Sequence, residues 1–167
     1  MLVRRLNEDD LEPLWQMRLQ ALTNSPEAFG STYEEVVARG NGWLLERLRG
    51  NGQETFYLGA FDDRLIGMVG FFREEASKEQ HKGNVVSMYV LPERRGQGVG
   101  RLLLQEMIAQ VKPLEGLEQL HLSVVTTNPT AHRLYRSLGF ETYGTAPHTL
   151  KIGDQYWDEE LMILYLQ

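Results

Sequence analysis

The sequence contains no cysteine among its 167 residues, and its four histidines are scattered along the chain. Without cysteine there are no disulfides, no thiolate metal ligands and no cysteine nucleophile. The histidines show no spacing typical of a metal site, so we predict that the protein binds no metal ion. Any acyl transfer by this chain must therefore pass directly to the acceptor or through a residue other than cysteine.

Long apolar runs are missing as well. No run is long enough to cross a bilayer, and the segment 4–10 turns polar too soon for a signal peptide. The length of 167 residues, with 42% hydrophobic and 24% charged residues, is typical of a single globular domain. We therefore expect one cytoplasmic domain over residues 1–167.

Basic residues are outnumbered, with 17 lysines and arginines against 23 aspartates and glutamates and a net charge of -6. Binding to a nucleic-acid duplex depends largely on neutralising phosphates, so this balance argues against nucleic acid as a partner. The missing apolar runs argue in the same way against a membrane partner. A cationic or amine-bearing substrate fits the sign of the net charge better.

What the chain does contain is a glycine-rich segment, Arg95-Gly96-Gln97-Gly98-Val99-Gly100-Arg101. A predicted strand that ends near Val90 precedes it, and apolar residues at helical spacing follow it. The first turn of a helix has backbone N–H groups without intrahelical partners and carries the positive end of the helix dipole. Glycine lets the main chain approach a ligand closely, so the segment predicts a site for a phosphate-bearing ligand.

Other glycine motifs do not fit this segment. A nucleotide-triphosphate loop of the Walker type ends in Gly-Lys-Ser or Gly-Lys-Thr, and neither is present. The dinucleotide fingerprint requires a third glycine three residues after the second, where this chain has Arg101 or Leu103. A plain glycine-rich surface turn before a helix remains as the alternative.

Hydrophobic periodicity and turn residues predict the order strand, two helices, three strands, helix, strand, helix and two strands. The predicted strands cover residues 2–6, 55–61, 65–72, 85–90, 119–125, 140–145 and 161–166. A capping box near residues 31–35 begins the second helix, which residues 40–42 interrupt. Asn128 and Pro129 begin the last helix, and Gly139 ends it.

The spacing Arg95-Gly96-Gln97-Gly98-Val99-Gly100 resembles the (Gln/Arg)-x-x-Gly-x-(Gly/Ala) signature of the GCN5-related N-acetyltransferase (GNAT) superfamily. A second segment, 128–140, resembles the Asn-x-x-Ala-x-x-Leu-Tyr-x-x-x-Gly-Phe pattern of the same superfamily. The predicted order of elements also matches, so the resemblance covers nearly the whole chain. It implies a mixed α/β fold with a mostly antiparallel central sheet of about seven strands and with about four helices.

The resemblance further implies acetyl-CoA as the acyl donor, with its pyrophosphate on the glycine-rich segment and its pantetheine arm beside the fourth strand. The residues implied in binding it are Met88, Tyr89, Val90, Arg95, Gly96, Gln97, Gly98, Val99, Gly100, Arg101, Asn128 and Tyr135. The backbone N–H of Val90 is the candidate oxyanion donor, and the resemblance implies the Tyr135 hydroxyl as general acid. The alternatives are a helix-capping role for Asn128 and a core role for Tyr135.

A general base is needed as well, because an alkyl ammonium has a pKa near ~10.4 and the neutral amine attacks the thioester. Glu34 lies in a segment, residues 29–34, that resembles the acceptor side of the family, and helix capping is its alternative role. His81 and His148 lie in loops that we expect near the acceptor, and plain exposed histidines are the alternative. Tyr156 either shapes the acceptor pocket or pairs with an aromatic residue across the last hairpin.

The sequence thus predicts an N-acetyltransferase that moves the acetyl group of acetyl-CoA to a primary amine by direct attack in a ternary complex. A catalytically inactive acyl-CoA sensor and an interaction domain that retains only the fold are the alternatives. The acceptor is either a small-molecule amine or a protein or peptide amine, because loops without a readable code form its pocket. The edge of the last hairpin offers a surface for pairing two copies into a homodimer.

Overall fold

A computed structural model describes residues 1–50 and 54–166. In chain order its strands and α-helices are β1 (Leu2–Arg5), α1 (Leu11–Asn24), α2 (Tyr33–Arg39), α3 (Gly42–Arg49), β2 (Thr55–Phe61), β3 (Leu65–Arg73), β4 (Lys82–Val90), α4 (Val99–Val111), β5 (Gln119–Val125), α5 (Pro129–Ser137), β6 (Glu141–Ile152) and β7 (Gln155–Tyr165). Short 3-10 helices precede α1, α2 and α4.

The seven strands form one sheet with the order β1-β2-β3-β4-β5-β7-β6. The neighbours β4 and β5 run parallel, and the other neighbouring pairs run antiparallel. A parallel pair needs a crossover connection, and α4 supplies it between β4 and β5. The predicted mixed and mostly antiparallel sheet is therefore confirmed.

The helices number five within the described residues, where the sequence predicts about four. The extra helix arises at the predicted interruption, because Gly40 has a φ of +74° and ends α2 before α3 begins at Gly42. In the capping box of α2 the Thr32 hydroxyl accepts from the Glu35 backbone N–H, and the Glu35 carboxylate accepts from the Thr32 backbone N–H. The break thus divides the second predicted helix into two short ones.

The last hairpin is longer than the sequence predicts. Strand β6 continues to Ile152 and β7 begins at Gln155, so Gly153 and Asp154 form the connecting turn. Most side chains of β6 are exposed, and the apolar alternation that reveals a half-buried strand is therefore weak there. β6 lies at one edge of the sheet, and β1 lies at the other.

Helix α4 packs on the sheet beside the candidate site. It contacts β1, β2, β3 and β4, and its buried side chains are Val99, Leu103, Leu104, Met107 and Val111. Fully burying one such side chain contributes about 1.5–3 kcal/mol, so this face holds the helix firmly on the sheet. No helix among residues 1–50 and 54–166 is long and apolar enough to cross a membrane.

A partly buried ion pair joins β1 to the turn before α1. The carboxylate of Asp10 accepts hydrogen bonds from both terminal nitrogens of Arg4, at 2.7 and 2.9 Å, and from the backbone N–H of Asn7, at 2.9 Å. The Asp10 side chain is 9% exposed. The hydrogen bonds from Arg4 lower the pKa of Asp10 below its usual value, despite the opposing effect of burial.

We predict that Asp10→Asn lowers the free energy of unfolding at pH 7 by about 1–2 kcal/mol, because a charge-assisted bond to Arg4 is lost. The folded pKa of Asp10 is depressed, so its stabilising effect is present above the unfolded pKa and disappears as pH falls through the folded pKa. Urea unfolding at pH 7 and pH 3 measures this difference.

The exposed neighbour Asp9 provides the matched control, and Asp9→Asn should unfold like the parent chain at both pH values. Equal stability of the parent and Asp10→Asn at pH 7 would contradict the prediction.

Candidate active site

The candidate site lies where two neighbouring strands separate. Strands β4 and β5 pair in register from Lys82 and Gln119 to Asn84 and His121, and then diverge. A cavity of about 810 Å³ opens between them, lined by residues 85–90 of β4 and 122–125 of β5. Its volume lies within the range typical of small-molecule sites.

A β-bulge in β4 accompanies the separation. Met68 of β3 pairs with Tyr89 and Gly70 pairs with Val86, so two residues of β4, Ser87 and Met88, oppose one residue of β3. Ser87 has a φ of +54°, an uncommon conformation for a residue other than glycine. Because a bulge bends its strand and disturbs the ladder, it directs this part of β4 away from a regular pairing with β5.

The backbone of Val90 faces the cavity. The next residue, Leu91, donates its N–H to the carbonyl of Ile66 at 3.0 Å, on the β3 side. Main-chain groups alternate in direction along a strand, so those of Val90 point the other way, towards β5. The Val90 carbonyl accepts a hydrogen bond from Arg95 Nε at 3.0 Å, and the Val90 N–H is presented to the cavity.

The glycine loop, residues 95–101, closes one end of the cavity. Gly96 and Gly98 have φ values of +75° and +82°, and nothing lies within 4 Å of a Cβ added at either position. Gly98 is the N-cap of α4 and has no side chain, so no side-chain hydrogen bond caps the helix. The first helical backbone bond runs from Leu102 N–H to Gly98 O, which leaves the preceding N–H groups for a ligand.

Three arginines add positive charge around the glycine loop, and all three line the cavity. Arg94 forms an ion pair with Asp62 at 2.9 Å, and Arg101 donates to the Ser137 hydroxyl at 2.8 Å. Arg95 lies over the Tyr89 ring, 5.4 Å from its centroid. Their guanidinium groups and the end of the α4 dipole thus favour an anion at this end of the cavity.

The other predicted ligand-binding residues also lie on the cavity, with one exception. The cavity is lined by Met88, Tyr89, Val90, Arg95, Gly96, Gly98, Val99, Gly100, Arg101, Asn128 and Tyr135. Gln97 is the exception, because its side chain turns back and donates to the carbonyl of Glu93 at 3.2 Å. The Asn128 side chain accepts from the Ala131 N–H at 3.1 Å, so it caps α5 while it borders the cavity.

Tyr135 lies on the cavity wall and in the core at once. It is 7% exposed, and its ring makes an edge contact with Phe140 at a centroid distance of 6.0 Å. Within residues 1–50 and 54–166, no side chain or backbone group hydrogen-bonds its hydroxyl. Burial raises the pKa of Tyr135 to about 12, so the hydroxyl keeps its proton at neutral pH.

The predicted acceptor residues, Glu34, His81, His148 and Tyr156, do not line the cavity. Glu34 is exposed on α2, beside the Glu35 that completes the capping box. His81 lies at the closed end of the β4–β5 pair, where its carbonyl accepts from the N–H groups of residues 118 and 119. His148 stacks on Tyr156 at a centroid distance of 4.4 Å, which is the cross-strand alternative left open by the sequence.

Other polar side chains take their place on the cavity wall. Glu27, in the 3-10 helix between α1 and α2, and Glu159, on β7, are half-buried carboxylates that line the cavity. Arg18 of α1 lines it as well. Glu27 has no sequence signal, but Arg18 has one, because it lies four residues from both Leu14 and Leu22 on the apolar face of its helix.

The comparisons with known proteins agree with this geometry. A family model described as "Acetyltransferase (GNAT) family" matches residues 16–140. The chain is 38% identical over 106 residues to the mycothiol acetyltransferase of Thermobispora bispora, covering 59% of this chain and 36% of that protein. It is 28% identical over 109 residues to an N-alpha-acetyltransferase of Sulfurisphaera tokodaii, covering 61% of this chain and 65% of the relative. The chain thus spans between about a third and two thirds of these relatives.

Among solved structures, the phosphinothricin acetyltransferase of Sinorhizobium meliloti in complex with acetyl-CoA superposes with a TM-score of 0.80. The two sequences are 23% identical, and the match covers 99% of this chain and 88% of the other. At this identity the likeness establishes the fold.

Proposed function

Since this chain belongs to the acetyltransferase (GNAT) family, we propose that it transfers the acetyl group of acetyl-CoA directly to a primary amine while both are bound. The observation that carries the proposal is the glycine loop, whose free N–H groups open onto the cavity between β4 and β5. The relatives named as acetyltransferases and the neighbouring structure named with acetyl-CoA support it.

The residues on the cavity fit the parts of acetyl-CoA. The N–H groups at the start of α4, with Arg95 and Arg101, hold the pyrophosphate. The unpaired edge of β4 at Val90 and the amide of Asn128 bind the peptide-like pantetheine arm, as a sheet edge binds an added strand. The open space at Gly96 and Gly98 supports this fit, because side chains there would occupy the ligand's side of the loop.

Acetyl-CoA supplies the activated acetyl thioester, and the chain supplies the groups around it. The Val90 N–H stabilises the negative charge that develops on the carbonyl oxygen during attack. The Tyr135 hydroxyl gives its proton to the departing thiolate, since it is protonated at neutral pH and lies on the cavity wall. The bond that breaks joins the carbonyl carbon to sulfur. The Val90 N–H therefore acts at its carbonyl end, and the Tyr135 hydroxyl acts at its sulfur end.

The carboxylates on the cavity wall are the candidates for the general base. A primary ammonium has a pKa near ~10.4, so a base or an ordered water must remove its proton at neutral pH. Glu27, in the α1–α2 connection, and Glu159, on β7, both line the cavity. We assign the base to this pair in place of Glu34 and the two loop histidines.

The assay of thiol release from acetyl-CoA against a panel of amines tests the proposed function. It is run beside calorimetric titration with CoA, so that binding and turnover are measured on the same preparation. Release with at least one amine supports an acetyltransferase. Binding without release from any amine would instead support the sensor, and the absence of both would support an interaction domain.

A substitution at Gly98 tests the role of the glycine loop in binding acetyl-CoA. Gly98→Ala should weaken acetyl-CoA binding about tenfold, because alanine disfavours the left-handed conformation that presents the loop N–H groups, and restoring that conformation on binding costs about 1–2 kcal/mol. Titration calorimetry measures the affinity. Gly42→Ala is the control, since it also adds a Cβ with nothing within 4 Å but lies outside the cavity and has no positive φ. Equal affinity of the two variants would show that the loop conformation does not matter for binding.

Removing the hydroxyl of Tyr135 tests its role as general acid. Tyr135→Phe should lower kcat by about a hundredfold from pH 6 to 9, because the general acid is removed while the ring stays in the core. The pH profile should keep its shape, since the raised pKa of about 12 lies above this range. The exposed Tyr165→Phe should leave kcat unchanged. Unchanged turnover of Tyr135→Phe over the whole pH range would exclude the acid role.

Neutral variants of Glu27 and Glu159 test the assignment of the general base. The double variant Glu27→Gln, Glu159→Gln should lose about a hundredfold or more in kcat/KM at pH 7, because no carboxylate is left to accept the proton. The single variants assign the role to one of the two. Glu34→Gln, which changes an exposed carboxylate outside the cavity, should stay within about twofold of the parent. Full activity of the double variant would contradict a carboxylate base.

A further inference from the structure

Three arginines surround one tryptophan beside the cavity. The guanidinium carbons of Arg18, Arg39 and Arg47 lie 4.9, 4.6 and 5.3 Å from the centroid of the Trp43 ring. We call these four residues the Arg–Trp cluster. Arg18 is its member on the cavity wall, whereas Arg39 and Arg47 are exposed behind it.

Arg18 has no carboxylate partner. Within residues 1–50 and 54–166, no acidic oxygen lies within 4.0 Å of its guanidinium. Its Nη1 donates to the Ser87 hydroxyl at 2.8 Å, and its buried Nε has no hydrogen-bond partner. A guanidinium carries five N–H donors, so most of those on Arg18 are unused by the protein.

This arrangement is electrostatically costly without an anion. Arg18 is half-buried with its Nε shielded from solvent, and burial together with the charges of Arg47 and Arg39 lowers its pKa below the ordinary value, against the opposing effect of Tyr57. The faces of Trp43 compensate in part through cation–π contacts. A buried cation that lacks a counter-charge destabilises the folded chain, and an incoming anion would relieve that cost.

We propose that Arg18 and the Ser87 hydroxyl bind an acidic group of the acceptor, so that the acceptor is an amine that also carries a carboxylate or another oxyanion. This inference rests on the proposed function and names its class of substrate. The Ser87 oxygen accepts from Arg18, which leaves its own proton to donate to the anion. The Arg18 guanidinium and the Ser87 hydroxyl, which touch each other, can therefore both donate to one bound anion.

The position of Ser87 assigns this place to the acceptor and not to the phosphates of acetyl-CoA. Ser87 lies in the bulge of β4, whereas the glycine loop follows the end of that strand. The neighbouring wall is formed by Phe29, Gly30 and Ser31 of the α1–α2 connection. The carboxylates of Glu27 and Glu159 also line the cavity, so the acceptor meets groups that suit an ammonium and a group that suits an acid.

Matched pairs of amines test the inference, using the full chain and acetyl-CoA. Each pair consists of an amino acid and its carboxamide, and further arms use an aminoalkylphosphonate and short peptides with an acidic or an amide second residue. The acidic member should have a kcat/KM at least about tenfold above its neutral partner. Binding of each amine to the CoA complex, measured by calorimetry, should show the same preference without relying on turnover.

Arg18→Gln should reduce this preference to less than about threefold, while the affinity for acetyl-CoA stays within about twofold of the parent. Arg39→Gln is the control, because it removes a contact with the same Trp43 ring outside the cavity, and it should keep the preference. Ser87→Gly tests the site even if Arg18→Gln fails to fold, since glycine tolerates the φ of +54°. It should reduce the preference about threefold or more.

The outcomes separate this inference from the proposed function. Acetylation of neutral amines as efficiently as acidic ones would overturn the inference and leave the acetyltransferase intact. An unchanged preference in Arg18→Gln or in Ser87→Gly would overturn the assignment to these residues. Preferential binding of acidic amines without thiol release from any of them would overturn the proposed activity and support the acidic ligand.

Discussion

The separation of β4 from β5 is the constraint on which the rest of the site depends. After three paired residues the two parallel strands part, and each then leads into a helix whose start borders the opening. The separation directs the Val90 N–H to the cavity instead of to β5, and the glycine loop and Asn128 both line that cavity. A fully paired sheet would satisfy the same main-chain groups internally and leave no room for a ligand.

Local charge and net charge point in different directions in this chain. The net charge of -6 suggests a cationic substrate, and the half-buried carboxylates on the cavity agree with it. Six of the arginines nevertheless lie in two groups, three around the glycine loop and three in the Arg–Trp cluster. Because fields from exposed charges are screened within about 10 Å, the groups that a ligand touches count for more than the total.

The parts of the site that local sequence patterns determine were predictable, and the parts that depend on the path of a loop were not. The glycine spacing and the cap at Asn128 are local patterns, and they place most of the predicted ligand-binding residues on the cavity. The path of the α1–α2 connection determines which acidic residue faces inward, and no periodicity describes it. Glu27 was therefore missed, and Glu34, seven residues later in the chain, was expected in its place. The interruption at Gly40 was predicted, whereas the full length of β6 was not, because its exposed side chains weaken the apolar alternation.

The capping bond of Asn128 also determines the polarity of what this residue can recognise. Its amide oxygen is committed to the Ala131 N–H, so rotating the amide by half a turn would uncap α5. The amide nitrogen is consequently the end left over for a ligand, and an amide NH₂ only donates hydrogen bonds. The free end of Asn128 can thus only donate to a hydrogen-bond acceptor, so the cap at the start of α5 determines which kind of ligand atom this residue can contact in the cavity.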